Sequence, residues 1–592
     1  MTDPGPTALS VPDLALGSAT AAYDEAVVRA RDDAWATRLF DRDVTLWSAD
    51  ARVGAAIAER LGWLDAPAHF TEQIPALEGF GDGIVEAGFT TVVVAGMGGS
   101  SLAPDVLHRT FGTQEGYLDL RILDSTDPAH VAAVFDDLDP LTTLVIVASK
   151  SGTTTEPNAF LADAWHRADV ALDEAGHHVY ETPGQVIAAI TDPGKSLDVI
   201  PHHDLFRAVF LNPPDIGGRY SALTYVGLVP ASLIGLDLDA LLASASAMLG
   251  ACREPEPTAN PGVSLGLALG TLAIAGRDKL TFLADDEISS FGAWAEQLIA
   301  ESTGKHGVGI VPVDLEPLAA VASYGVDRAF VRLSLAGAAD TAGRDALATA
   351  LGSAGHPVIR IELADPIDLG AEFIRWEVAT AIAGAVLGID PFDQPNVEEA
   401  KDLTRTVLAR AESGDAPDAP PAALATDEGV TLYGDAALRL TTADGGVTGE
   451  LARHLARRKP TSYLSLQAFI APTPASDAAI TRIRTLLLAR TGNATTAGYG
   501  PRFLHSTGQL HKGGAPIGWF LQLTSNHPMD REIPGWPYTF GRLIDAQADG
   551  DFAAIESHDL PILRVHLGDD VDGGLATLER VLAAALDSTL EG

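Results

Sequence analysis

The chain has 592 residues, with 80 acidic against 39 basic ones and a formal net charge of −41. That balance argues against nucleic acid or an anionic membrane as a partner, since both need a cationic surface. An apolar content of 46% fits a packed globular protein, and the length calls for two to four domains. Cys252 is the single cysteine, so no internal disulfide is expected and a reducing cytoplasm is. The opening residues carry no basic stretch ahead of their apolar ones, and no signal peptide is expected.

Residues 1–85, rich in Ala, Arg and Asp with apolar residues at helical spacing, read as mostly helical. From 86 the pattern becomes strand, turn, helix. TTVVVAG (90–96), LRILD (120–124), TLVIVAS (143–149) and VIAAITD (186–192) are short β-branched runs. Continuous apolar strands separated by helices imply a parallel sheet covered on both faces. Asp127 before Pro128 marks the start of a crossover helix. GVSLGLALGTLAIAG (262–276) is too short and glycine-rich to span a bilayer and reads as a buried helix.

A second α/β unit carries strands in KLTFLAD, AFVRLSL and PVIRIEL. The Pro/Ala/Asp-rich stretch 412–429 reads as a linker. SYLSLQAFI, GWFLQLT and ILRVHL then predict a third unit. There YTFGRLIDAQADGDFAAI echoes GAEFIRWEVATAIAGAVLGI of the second unit and suggests a duplication. The expected division is a helical region 1–85, a first α/β domain 86–235, a helical connection and second domain 236–411, the linker 412–429, and a third unit 430–592.

Six segments carry chemistry. GMGGSSLAPDVL (96–107) follows a strand, and its glycines and hydroxyls suit an anion at a helix N-terminus. A dinucleotide fingerprint would need glycine where Ser101 stands. ASKSGTTTEP (148–157) ends a neighbouring strand with five hydroxyl residues. Both loops lie at carboxyl ends of parallel strands, where open α/β sheets bind ligands. In DIGGRYSALT two glycines let a compact turn aim Arg219 at a ligand. In FGAWAEQLIAESTGK an amphipathic stripe places Gln297 and Glu301 one turn apart at a core boundary. Glu301 sits in a last turn, where the macrodipole prefers cations, and a poised carboxylate there fits a general base. FDQP introduces a helix bearing Lys401. GYGPRFLHSTGQLHKGG offers two histidines and a lysine, without a metal-ligand spacing.

Together and in this order, GMGGSSL, SKSGTTTEP, GGRYSALT, EQLIAESTGK and FDQP with its trailing lysine resemble the phosphoglucose isomerase family of the sugar-isomerase (SIS) fold, over about 90–400. The form is most similar to the isomerase half of bacterial transaldolase–phosphoglucose isomerase fusions, here without the transaldolase. The resemblance implies an α/β protein of SIS-type doubly wound parallel sheets. It also implies a cytoplasmic glycolytic enzyme that interconverts glucose 6-phosphate and fructose 6-phosphate through a cis-enediol(ate), with no metal or other cofactor. The alternatives are additional action on mannose 6-phosphate, or a sugar-phosphate-binding protein without activity. The latter need not retain Glu301, Arg219 and Lys401, and all three are present.

Carried over on matching motifs, the substrate- and phosphate-binding residues are Gly99, Ser100, Ser149, Lys150, Ser151, Thr153, Thr154, Gln297 and Gln394. Glu301 resembles the base moving a proton between C1 and C2, and Arg219 the residue stabilising the enediolate. Lys401 and a histidine assist ring opening. The family's histidine ordinarily follows the glutamate motif, but VPVDLEPLAAVASYG fills that place without one. LHSTGQ occurs instead at 504–509, so His505 takes the role, with His511 its competitor. In the ordinary arrangement the partner subunit supplies this histidine. A coil the length of the linker reaches ~20–25 Å, so His505 is expected to act within its own chain. Monomer and homodimer are both compatible with that.

Overall fold

The computed structural model describes residues 9–175, 179–412 and 422–590, excepting the side chains at 397, 398, 400, 401, 409–412, 589 and 590. Its sixteen strands form three sheets. They are β1 (Asp13–Ala15), β2 (Thr91–Gly96), β3 (Asp119–Leu123), β4 (Thr143–Ala148), β5 (Ile187–Thr191), β6 (Ala208–Leu211), β7 (Lys279–Ala284) and β8 (Val311–Val313). They continue as β9 (Arg328–Leu335), β10 (Val358–Leu363), β11 (Ala425–Asp427), β12 (Val430–Gly434), β13 (Tyr463–Phe469), β14 (Ala494–Tyr499), β15 (Gly518–Thr524) and β16 (Ile562–His566).

The first sheet, ordered β3-β2-β4-β5-β6, is parallel throughout. Every residue of β2, β4 and β5 is buried, as expected of apolar runs covered on both faces. Asp127 caps the crossover helix Pro128–Phe135, accepting from the backbone N–H groups of Ala129 and His130.

The second sheet runs β1-β10-β9-β7-β8 and the third β11-β12-β16-β15-β13-β14. Each sheet repeats one motif: its first parallel strand is flanked by the second and third, and the fourth lies beyond the third. The three instances are β3-β2-β4-β5, β8-β7-β9-β10 and β14-β13-β15-β16. A repeated unit is therefore visible in strand order. The sequence echo does not report it, because helix Leu369–Leu387 follows the fourth strand of its unit whereas helix Phe540–Ser557 precedes the fourth.

The structure refines two expectations. The N-terminal region is mostly helical, but β1 pairs antiparallel with β10, Asp13 opposite Arg360. Tertiary pairing overrides the local pattern at this three-residue run. The stretch 412–429 is not all linker: its tail forms β11, antiparallel to β12, while 413–421 lie outside the described residues. The N-terminal helices also share one apolar core with the first two sheets, and the indole Nε1 of Trp47 donates to the carbonyl of Ala381 at 2.8 Å. The third sheet has its own core, built on Leu464, Leu466, Trp519 and Leu563. Among the described residues no helix is long and apolar enough to cross a membrane.

Candidate active site

A cavity of ≈520 Å³ opens where the three units meet. Its walls include Gly99 and Ser100 after β2, Lys150, Ser151 and residues 153–156 after β4, Arg219, Gln297 and Glu301, Gln394, and Leu504, His505 and Gln547 from the third unit. Loops after two first-sheet strands thus face residues of the other units, as the switch-point rule predicts.

The hydroxyl loop leads into helix Thr155–Ala175, whose N-terminal dipole and free N–H groups favour an anion. Lys150, Ser151, Thr153 and Thr154 reach the cavity. Ser149 instead sits below the loop, 4% exposed, and its Oγ donates to Thr154 Oγ1 at 3.0 Å. Lys150 pairs with Asp192 at 2.6 Å and donates to the carbonyl of Pro214. Its charge is thereby partly offset, and the neutral hydroxyls present the donor face.

Opposite the loop, Arg219 Nη1 lies 3.1 Å from Glu301 Oε1, the side chains being 3% and 12% exposed. A cation at that end of helix Phe291–Thr303 resolves the clash between Glu301 and the macrodipole. Arg219 is held on every side. Its Nε donates to Ser302 Oγ (2.7 Å), Nη1 to Gln394 Oε1 (3.0 Å), and Nη2 to the carbonyls of Pro391 (2.8 Å) and Asp393 (3.0 Å). Fully buried Lys305 clamps the same turn, donating to the carbonyls of Asp390 and Asp393 and pairing with the Asp393 carboxylate. Burial, with Arg219 nearby, pushes the Lys305 ammonium down to about 8. The FDQP turn is thus fastened by two cations.

Gln297 Nε2 donates to Glu301 Oε2 at 3.2 Å and to the carbonyl of His505 at 2.7 Å. His505 comes close at Gly98 (φ +52°), where a Cβ would sit 2.4 Å from the His505 carbonyl oxygen. Only glycine suits that contact and that backbone. His505 Nε2 lies 3.1 Å from Glu156 Oε1. The histidine therefore reaches the cavity of its own chain. His511 does not: it is 4% exposed, packed among Tyr463, Phe503 and Phe520, and burial pushes its imidazole down to about 3. Lys401 falls within helix Val397–Glu412, but its side chain lies outside those described.

Sequence reasoning missed Glu156, Gln547 and Lys305. Glu156 and Lys305 stand inside quoted motifs, but their partners lie far along the chain. Among the described residues no three His, Cys, Asp or Glu side chains form a metal-binding group.

A family model described as phosphoglucose isomerase matches residues 51–325. A glucose-6-phosphate isomerase of Rubrobacter xylanophilus is 30% identical over 408 residues, spanning 61% of this chain and 92% of that protein. One from Heliobacterium modesticaldum is 30% identical over 403 residues, spanning 59% and 87%. Among solved structures, a hypothetical protein of Thermus thermophilus resembles the chain with a TM-score of 0.55 at 26% identity, covering 67% of this chain and 100% of that one.

Proposed function

The chain belongs to the phosphoglucose isomerase family and interconverts glucose 6-phosphate and fructose 6-phosphate, and on that premise we propose how its cavity does so. The observation that carries the reading is one carboxylate, Glu301, beside a locked guanidinium and across one cavity from a hydroxyl loop at a helix N-terminus.

The phosphate rests on Ser100, Ser151, Thr153 and Thr154 and on the N-terminus of helix Thr155–Ala175. This places the sugar's first two carbons toward Glu301. His505 takes the proton of the C1 hydroxyl as the ring C1–O5 bond breaks, O5 being protonated in turn, in a ring opening that the resemblance assigns to Lys401 and a histidine together. Glu301 then takes the C2 proton, leaving an enediolate; the O2 hydroxyl proton passes to O1, and Glu301 returns its proton to C1 to give the ketose. Negative charge on the enediolate oxygens is stabilised by Arg219. Since its five N–H groups already have protein partners, Arg219 acts chiefly as a fixed charge, and Gln394 is the partner most able to give way to substrate. Gln297 holds Glu301 and the His505 backbone in register.

The test is Glu301→Gln, which keeps shape and removes the base. A coupled assay should show a loss of at least ~10²–10⁴-fold in kcat, with a phosphorylated competitive inhibitor bound as before. Retention of more than a tenth of wild-type turnover would remove Glu301 from the role.

A further inference from the structure

A chain of side chains links the first unit to the third behind His505. Glu156 Oε1, 3.1 Å from His505 Nε2, accepts from Gln547 Nε2 at 2.6 Å. Gln547 Oε1 accepts in turn from Thr126 Oγ1 at 2.7 Å. Thr126, Glu156 and Gln547 are all buried. Turning the Gln547 amide round would set its oxygen against the carboxylate, so its neighbours fix one orientation.

We infer that Gln547 is a positioning residue for ring opening: through Glu156 it holds His505 in the tautomer protonated on Nε2, with Nδ1 left to exchange a proton with the sugar. The inference rests on the assignment of ring opening to His505. A carboxylate behind an imidazole sets tautomer and orientation, but only if the carboxylate is itself held. Gln547 suits that task because a neutral amide donates one strong hydrogen bond without cancelling the charge on Glu156. A lysine there would compete with His505 for the carboxylate, and an acid would repel it. The step itself is balanced: the C1 hydroxyl loses its proton, C1–O5 breaks, O5 gains a proton, and nothing is oxidised or reduced.

Ring opening can be isolated in a Glu301→Gln parent, where isomerisation is blocked and catalysed exchange between the α and β anomers of glucose 6-phosphate is followed by exchange NMR. Adding Gln547→Leu should slow that exchange about 10- to 100-fold, the scale of an acid–base group displaced by up to about 1 Å. Affinity for a phosphorylated inhibitor should stay within about threefold, which a collapsed cavity would not allow. Should Gln547→Leu lose affinity as well, Thr126→Val must slow exchange with affinity intact, and its failure to do so overturns the inference. Unchanged exchange in Gln547→Leu, beside a His505→Asn control that abolishes it, overturns the inference and leaves the ring-opening assignment standing. If His505→Asn leaves exchange intact, or the parent shows none, that assignment and the inference fall together.

Discussion

Gly98→Ala probes the joint on which the site depends. At φ +52° an alanine costs roughly 1–2 kcal/mol in backbone strain. The new Cβ would lie 2.4 Å from the His505 carbonyl oxygen, 2.8 Å from its Cβ and 3.0 Å from Gln297 Nε2. Ordinary contact needs about 3.4 Å, so the His505 turn must retreat by about 1 Å, stretching the 2.7 Å bond from Gln297. Loss of that bond adds about 1 kcal/mol, for a total destabilisation of about 2–3 kcal/mol. A 1 Å displacement of a working acid–base group can cost ~10²-fold in rate. The expected result is a folded protein with a modestly lowered Tm, inhibitor affinity nearly intact, and kcat on glucose 6-phosphate down by about two orders of magnitude. A variant keeping more than half of wild-type kcat would refute the placement of His505 at the reacting sugar.

Mixing Glu301→Gln and His505→Ala chains under conditions of subunit exchange should restore no activity, because each chain presents its own histidine; recovery would mean donation from a partner. Ser151→Ala with Thr153→Ala should raise KM and the inhibitor Kd by at least tenfold, at roughly 1.5–3 kcal/mol per bond to a charged group. Ser149→Ala, which loses only its bond to Thr154, should do less, and the reverse ranking would redraw the cradle. Burial and the nearby Asp314 push the Glu296 carboxyl up to about 8, against the pull of Arg484 and Arg502. The folded state then holds this proton where the unfolded one has lost it, so stability falls as pH rises from about 4.5 to 8. Glu296→Gln should therefore gain on the order of 1–3 kcal/mol relative to wild type between pH 5 and pH 8.5; unfolding free energies with parallel pH dependence would contradict this.

What the sequence made legible was local. Strand–loop–helix signatures placed both anion loops, and helical spacing put Gln297 and Glu301 on one turn. Two of the unread strands lacked the pattern: β8 has three residues, and β14 reads Ala-Thr-Thr-Ala-Gly-Tyr, too polar to mark as buried. Ser149 belongs to a hydroxyl-rich motif, but which hydroxyls face the ligand depends on how the loop turns. Glu156 stands in the same motif, yet its meaning comes from Gln547, 391 positions away. The sequence echo between 369–387 and 540–557 joins helices at different places in their units, whereas the strand order repeats in all three sheets.

β1 has a bearing on how the protein is made. Residue 13 leaves the ribosome long before its partner in the second sheet, residue 360. At about 5–20 residues per second the pairing waits on the order of 20–70 s. Throughout synthesis of the first sheet this segment is therefore an unclaimed strand, and β10 is a bare sheet edge when it first appears. An antiparallel ribbon of three residues then seals that edge, which otherwise invites pairing between chains. Closing the second sheet thus joins two segments made far apart in time, and nascent chains halted before residue 360 would lack that seal.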